Sequence, residues 1–215
     1  MKIGKLFHVF LFILALAAGA FGQAKTITEA EYRAASNSAY SQAANVARRV
    51  VYVFTKYNSG AVSEIVETVT ETQPPDSSRQ LTTRKKDNVV TKTETIRVKG
   101  TEYQRVNGGR WEKEDLTKGR FMIGDATDTD SKSEYRLEEV TEGGEKFKVI
   151  TEQTRLNLQT RTTFFEQKIF VDGKGLIRKS MTKSMNDSRD NLVFDTVTTY
   201  EYNPKDLKKI TAPIK

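Results

Sequence analysis

The dipeptide Lys99-Gly100 and the alternating residues on either side of it constrain the fold of this chain most strongly. Glycine supplies the positive φ that a two-residue hairpin turn needs. A turn at this dipeptide places Ile96 opposite Tyr103 and Arg97 opposite Glu102. The first pair is apolar and the second is oppositely charged, and both kinds of pair stabilise an antiparallel ladder. The alternation predicts a sheet with one apolar and one polar face.

Short β-type segments separated by turn signals continue along most of the chain. Gly143-Gly144 predicts a second hairpin, in which Val140 faces Phe147 and Leu137 faces Ile150. Together with the first hairpin these segments predict about nine or ten antiparallel strands. The remaining predicted strands cover residues 50–57, 61–72, 80–86, 134–142, 145–154, 160–171, 176–184 and 192–203.

One long helix is predicted ahead of the strands, from about Glu29 to Ala47. Thr28 is its expected N-cap, and Glu31 three residues later completes a capping box. The side of the helix with apolar periodicity consists mostly of alanine. We therefore expect this helix to lie close against a sheet.

Two segments do not follow the strand pattern. Residues 112–130 place Leu116, Phe121 and Met122 among charged residues and glycines without a clean period, which predicts a loop with a short helix. Residues 204–215 begin at Pro204 and carry Ile210, and they are a candidate additional edge strand.

The first 22 residues have the three-part pattern of a secretory signal peptide. Lys2 and Lys5 precede an apolar run from Leu6 to Ala18, and small residues follow it. An uncleaved membrane anchor is the alternative, but the run is shorter than the roughly 20 residues that a spanning helix needs. We expect residues 1–22 to be removed, residues 23–215 to form a single domain, and the protein to be periplasmic or secreted.

The composition excludes several kinds of site. The chain has no cysteine, and its single histidine is His8 in the expected signal peptide. Disulfides, thiolate catalysis and most zinc, copper or haem sites therefore require residues that the chain lacks. We expect no cofactor and no metal. An enzyme is the least favoured of the functional hypotheses, after a carrier and a structural module.

Acidic clusters offer little support for carboxylate chemistry. Glu138 and Glu139 are adjacent in a predicted strand, so their side chains point to opposite faces and cannot share a site. The sequence from Gly124 to Asp130 resembles part of a calcium loop but lacks its central glycine and terminal glutamate. The net charge of +7 is spread along the strands with no basic stripe, which does not indicate nucleic-acid binding. A weak attraction to anionic surfaces is the minor interpretation of this charge.

The strand pattern leaves a barrel, a sandwich and a strongly curved open sheet as possible architectures. Three stretches resemble the periplasmic lipoprotein-carrier superfamily, which includes LolA-like lipoprotein localisation factors and mycobacterial glycolipid-binding lipoproteins. They are residues 102–111, which end at Trp111; Phe170 to Lys179, similar to a late hairpin; and Tyr200 to Pro204 with Ile210 and Pro213, similar to a closing strand. The order of signal peptide, helix and strands with a midway insert is also similar.

The resemblance implies an α+β fold in which a curved, open antiparallel sheet, a half-barrel, wraps one long N-terminal helix and a short lid insert. It also implies a cavity for acyl chains, with a lipid or another hydrophobic ligand as the partner and an envelope membrane protein as a further partner to consider. The chain has no cysteine for a lipid anchor and would be a free, soluble member. The candidate ligand-binding residues are Ile96, Val98, Tyr103, Trp111, Phe121, Met122, Phe164, Phe170, Phe194 and Tyr200.

The same residues have a second interpretation as ordinary core. Tyr103 and Trp111 at a strand end, and the phenylalanines of the late strands, are residue types that usually fill a protein interior. The sequence therefore favours a non-enzymatic, exported carrier or binder of a hydrophobic ligand. The alternative is a structural or protein-binding envelope module whose interior is filled by its own side chains.

Overall fold

A computed structural model describes residues 24–115, 130–158, 161–186 and 191–214. Within these ranges the chain forms one helix and one twelve-stranded sheet. The helix, α1, is Glu29–Ala44. The strands in chain order are β1 Lys25–Ile27, β2 Arg48–Asn58, β3 Ala61–Gln73, β4 Ser77–Lys86, β5 Val89–Val98, β6 Thr101–Val106, β7 Glu112–Asp115, β8 Asp130–Glu142, β9 Glu145–Leu158, β10 Arg161–Val171, β11 Ile177–Met185 and β12 Leu192–Tyr202.

The sheet joins two antiparallel meanders. Its strand order is β1-β8-β9-β10-β11-β12-β2-β3-β4-β5-β6-β7, so β2 to β7 form one meander and β8 to β12 the other. The two meet where β12 pairs with β2. β1 and β7 lie at opposite edges and do not pair with each other, so the described sheet is open. The predicted fold class, a curved open antiparallel sheet wrapping a helix, is confirmed.

The local signals are also confirmed. Lys99 and Gly100 both have positive φ, 52° and 78°, and Ile96 pairs with Tyr103 as the turn requires. Gly143 and Gly144 form the second hairpin turn, with the predicted register between β8 and β9. Thr28 caps α1 in a capping box with Glu31, and these reciprocal hydrogen bonds satisfy donors that a helix start leaves unpaired.

The helix α1 ends at Ala44, three residues before the predicted end at Ala47, and the strands and the tail differ from the prediction at three further places. β1 is an additional short edge strand, and β7 falls in the segment that we expected to be a loop. Residues 204–214 form no strand; instead the Gln73 side chain donates to the carbonyl of Lys208 and accepts from the amide of Ile210. The rest of the expected lid insert, with Phe121 and Met122, lies outside the described residues, as do residues 1–22.

The two faces of the sheet have different coverings. We call the face that α1 packs against the inner face, and the other the outer face. The core lies between α1 and the inner face, where Ile169 and Ile177 are 1% and 0% exposed. Burying each such side chain contributes about 1.5–3 kcal/mol. The core residues are Ile27, Tyr32, Ala39, Ile150, Ile169, Val171 and Ile177.

The outer face carries the tail that follows β12. Ile210, in this tail, is 8% exposed and lies in a cleft with Ile96 of β5. Arg49 of β2 pairs with Glu71 of β3 and with Asp206 of the tail. These contacts hold residues 204–214 across the outer side of β2 to β5. No helix in the described part of the chain is long and apolar enough to cross a membrane.

Candidate functional site

A groove of about 450 Å³ lies between α1 and the inner face of β8 to β10. Its volume is within the roughly 300–1,000 Å³ that ligand pockets usually have. We call it the helix groove. The lining residues used below are Ala35, Ala39, Leu137, Glu139, Lys146, Lys148, Ile150, Val171, Asp172 and Gly175.

Small side chains on α1 leave the space for the helix groove. Ala35 and Ala39 face the sheet across from Leu137 and Ile150, and both alanines line the groove. Alanine reaches only a methyl group below the helix, so the sheet and the helix do not interdigitate fully there. The lining side chains at this depth are apolar. The middle of the groove therefore suits hydrocarbon.

Tyrosines close the helix groove near the start of α1. The rings of Tyr32 and Tyr135 lie 4.8 Å apart between centroids, and the Tyr32 hydroxyl donates to Oε1 of Gln167 at 3.0 Å. Burial, and then the neighbouring Glu152, raise the pKa of the Tyr32 hydroxyl far above its ordinary value. The phenol thus stays a neutral donor, and the contact anchors this end of the helix.

A tight turn supports the other end of α1. Gly175, with a φ of +79°, is so near Gln42 that a Cβ there would lie 2.5 Å from Gln42 Oε1. Asp172 organises the same turn by accepting from the amides of Lys174 and Leu176 at 2.8 and 2.9 Å, and from Arg178. Burial tends to raise the pKa of Asp172, but these hydrogen bonds and the Arg178 charge lower it overall.

Along β9, the side chains that line the groove change from apolar in its middle to charged at its open end, beside the Asp172 turn. Ile150 is 3% exposed, whereas Lys148 and Lys146, which follow on the same face, are exposed. Same-face neighbours on a strand are about 6.8 Å apart, so the wall passes from apolar to cationic over about 14 Å. Glu139 lies opposite Lys148 in the ladder. The helix groove is thus apolar and closed at one end and charged at the other.

A second apolar feature on the inner face lies beyond the start of α1. Phe165, Ser184 and Phe194 are paired in one row across β10, β11 and β12. The rings of Phe165 and Phe194 are 6.3 Å apart, Phe54 is 5.6 Å from Phe194, and Ser184 is 2% exposed. All three phenylalanines are half-buried. We call them the phenylalanine row.

A further concavity of about 490 Å³ lies mainly on the outer side of β8 to β10. Four of its five charged side chains have partners within the described residues. Arg136 pairs with Glu134, and Glu166 accepts from Gln153 at 2.8 Å. The Arg155 guanidinium lies over the Phe164 ring at 5.8 Å. This surface offers a ligand few unsatisfied groups.

The structure does not bring the candidate ligand-binding residues together. The strand registers place Phe194 and Tyr200 on the inner face. They place Ile96, Val98, Tyr103, Phe164 and Phe170 on the outer face. Trp111 precedes β7, and the guanidinium carbon of Arg105 lies over its ring, 4.6 Å from the ring centroid of Trp111. Phe121 and Met122 lie outside the described residues.

Sequence reasoning missed the residues that line the helix groove, although two signals for them were present. The apolar side of the helix consists mostly of alanine in the sequence, and this is the side that leaves the space. Leu137 and Ile150 were also expected to face each other, and the register confirms this pair. The signal that was not used is the combination of a small-residue helix side with an apolar cross-strand pair.

Nowhere in residues 24–115, 130–158, 161–186 and 191–214 do three or more His, Cys, Asp or Glu side chains cluster in a way that could hold a metal ion. The Asp172 carboxylate is occupied by two amides and Arg178, as described above.

Comparisons with known proteins give structural neighbours only. No protein-family model matches the chain, and no curated protein matches it by sequence. LprF from Mycobacterium bovis is similar over 89% of this chain and 100% of its own, with a TM-score of 0.44 and 12% identity. A putative outer membrane lipoprotein-sorting protein domain from Vibrio parahaemolyticus is similar over 83% of this chain and 95% of its own, with a TM-score of 0.31 and 11% identity.

A LolA superfamily protein from Nitrosomonas europaea is similar over 79% of this chain and 91% of its own, with a TM-score of 0.30 and 8% identity. This last neighbour is described as a member of the LolA superfamily, which three stretches of this sequence resemble. Because each TM-score is below 0.5, we take function from this chain's own residues.

Proposed function

We propose that this protein binds and carries a lipid or another hydrophobic ligand, with the apolar part of the ligand in the helix groove. The ligand would lie between the alanine side of α1 and the inner-face residues Leu137, Ile150 and Val171. Binding of this kind is passive: it removes apolar surface from water and gains about 25 cal/mol per Å². It requires no catalytic group.

The observation that carries the proposal is the combination of space and lining at one place. The helix groove has about 450 Å³, and its middle is lined by Ala39, Ile150 and Val171, each less than 10% exposed. Ligand pockets are typically concave, mostly apolar and provided with a few polar groups at one side. Among the surfaces described above, the helix groove combines all three properties.

The compartment belongs to the proposal as well. The N-terminal pattern of Lys2, Lys5 and the apolar run from Leu6 to Ala18 supports export, with cleavage leaving residues 23–215 as one domain. An envelope or secreted location would also supply membrane lipids as ligands. The envelope membrane protein considered from the sequence gains no support from the described residues.

One observation favours the alternative of a structural module with a filled interior. Ile169 and Ile177 are almost completely buried under α1, so part of the space beneath the helix is occupied by the chain itself. If the helix groove holds only water, the fold would be a self-contained envelope module. The two possibilities differ in whether the protein takes up amphiphiles.

Uptake can be measured on protein that has never been exposed to detergent. The proposal expects native mass spectrometry to detect copurified lipid, and a fluorescent fatty acid to bind with one-to-one stoichiometry. If no lipid copurifies and no fluorescent fatty acid binds, the filled-interior alternative holds instead.

A further inference from the structure

The lysine end of the helix groove indicates which ligands the groove accepts. We infer that the ligand is a single-chain amphiphile with an anionic head group, whose head lies against Lys146 and Lys148. This inference rests on the proposed function and adds the chemistry and orientation of the ligand.

Orientation follows from the two unlike ends of the groove. The Tyr32–Tyr135 contact and the Tyr32–Gln167 hydrogen bond close the end near the start of α1. The opposite end opens between β9 and the Asp172 turn, where the exposed lysines lie. An anionic head group at the closed end would lose its hydration beside the Glu152 carboxylate, which repels it, and this is costly. The chain therefore enters tail first, and the head remains at the open end.

The head-group sign follows from the charges at the open end. Lys146 and Lys148 belong to no ion pair formed within the described residues, although many other basic side chains of the chain do. The two acidic side chains of the lining do not cancel both lysines. Asp172 is neutralised by Arg178, and Glu139 lies opposite Lys148. One positive charge is left in excess. A carboxylate, sulfate or phosphate complements it, whereas an ammonium group is repelled.

The size of the groove limits the number of chains. A volume of about 450 Å³ lies in the lower part of the roughly 300–1,000 Å³ range of ligand pockets. One acyl chain fits such a space better than the two or three chains of a membrane lipid. Fatty acids and anionic lysophospholipids such as lysophosphatidic acid are two sources of a single chain with an anionic head, and they share the chemistry recognised here.

Three amphiphiles that have the same tail and different head groups show how much the head group contributes to binding. We would measure dissociation constants for myristate, tetradecanol and tetradecylamine below their micelle concentrations, with lysophosphatidic acid as the second anionic source. The expected order is myristate and lysophosphatidic acid tightest, the alcohol about tenfold weaker because it lacks the charge contact, and the amine weakest because the excess lysine charge repels it. High salt should reduce the difference between the acid and the alcohol.

The double variant K146E/K148E should reverse the order, so that the amine binds more tightly than the acid. The matched control is K85E/K86E, which makes the same charge change on exposed residues of β4 that do not line the groove. Circular dichroism should show both variants folded. The control should keep the wild-type order.

The outcomes distinguish this inference from the proposed function. Equal affinity for all three head groups, or a preference unchanged in K146E/K148E, would overturn the inference while leaving a carrier of apolar chains. Absence of binding for every amphiphile would overturn the proposed function and the inference with it.

Discussion

The hydroxyl of Tyr32 on α1 donates to Oε1 of Gln167 on β10 at 3.0 Å, joining two residues that are 135 positions apart in the sequence. This contact fixes the start of the helix over the inner face. Between it and the Gly175 turn, α1 carries the small side chains Ala35 and Ala39 over β8 to β10, which is where the helix groove lies. The groove therefore depends on a helix that is held at both ends.

Removing the Tyr32 hydroxyl tests the first of these attachments. Tyr32→Phe keeps the ring against Tyr135 and loses the hydrogen bond, so we expect the free energy of unfolding to fall by about 1 kcal/mol. Tyr32→Ala also loses the ring and should cost roughly 3–5 kcal/mol. Urea unfolding measures both. Equal stability of the Phe variant and the wild type would mean that the hydrogen bond does not anchor the helix.

Gly175 supports the other end of the helix. Gly175→Ala should lower stability by two effects, the strain of a positive φ and the contact of the new Cβ with Gln42. Gly60→Ala is the matched control, because Gly60 has the same φ of +79° and nothing within 4 Å of the added Cβ. We expect a loss of about 1 kcal/mol in the control and clearly more at Gly175. Gln42→Ala should remove the excess; identical losses at both glycines would contradict the close approach.

Filling the groove should block the ligand without disrupting the fold. Ala35 lines the groove, whereas Ala34 on the same helix is exposed to solvent. Ala35→Phe should weaken uptake of a fluorescent fatty acid at least tenfold, because its ring occupies the space of the acyl chain. Ala34→Phe should bind as the wild type does. Equal binding by the two variants would place the ligand elsewhere.

The phenylalanine row should contribute to stability and not to binding. Phe194 contacts the rings of both Phe54 and Phe165. Phe194→Ala should cost about 1–3 kcal/mol, less than a fully buried ring, because the side chain is only half-buried. Fatty-acid affinity should be unchanged in titrations at a temperature where the variant is folded. A large loss of affinity at full folding would assign the ligand to this row instead.

Asp172 should make the stability of the protein depend on pH in the acidic range. The pKa of this carboxyl is lowered in the folded protein, mainly by hydrogen bonds that outweigh burial. A lowered folded-state pKa contributes stability that is present above the unfolded value of 3.8 and is lost as the pH falls through the folded-state pKa. Asp172→Asn should therefore be less stable than the wild type at pH 7, with the difference shrinking at pH 3 and below. A difference that does not vary with pH would rule out this linkage.

The turns and the helix start could be predicted from the sequence because each depends on only a few neighbouring residues. Examples are the turn at Lys99-Gly100 and the capping box of Thr28. The face on which each aromatic lies was harder to predict. Phe164 and Phe165 are neighbours, yet they point to opposite faces of β10.

Three register irregularities help to explain the difficulty. They lie after Lys56, Phe170 and Ser184, and each changes which residues of a strand share a face with those of the next. Which face becomes the inner one is decided by where α1 packs, and that depends on contacts such as Tyr32 with Gln167. The alternation in one strand contains none of this information. The sequence therefore predicts that Ile96 pairs with Tyr103, but it does not predict that this pair lies on the face away from the helix groove.

The central claim is that an acyl chain lies between α1 and the inner face of β8 to β10. The most direct measurement is photo-crosslinking with a fatty acid that carries a diazirine at its tail end, followed by mass spectrometry of the labelled peptides. We expect the labels in the peptides that contain Ala35, Leu137 and Ile150, which line the part of the groove nearest its closed end. Labels confined to the phenylalanine row or to the outer face, or no specific label, would contradict the claim.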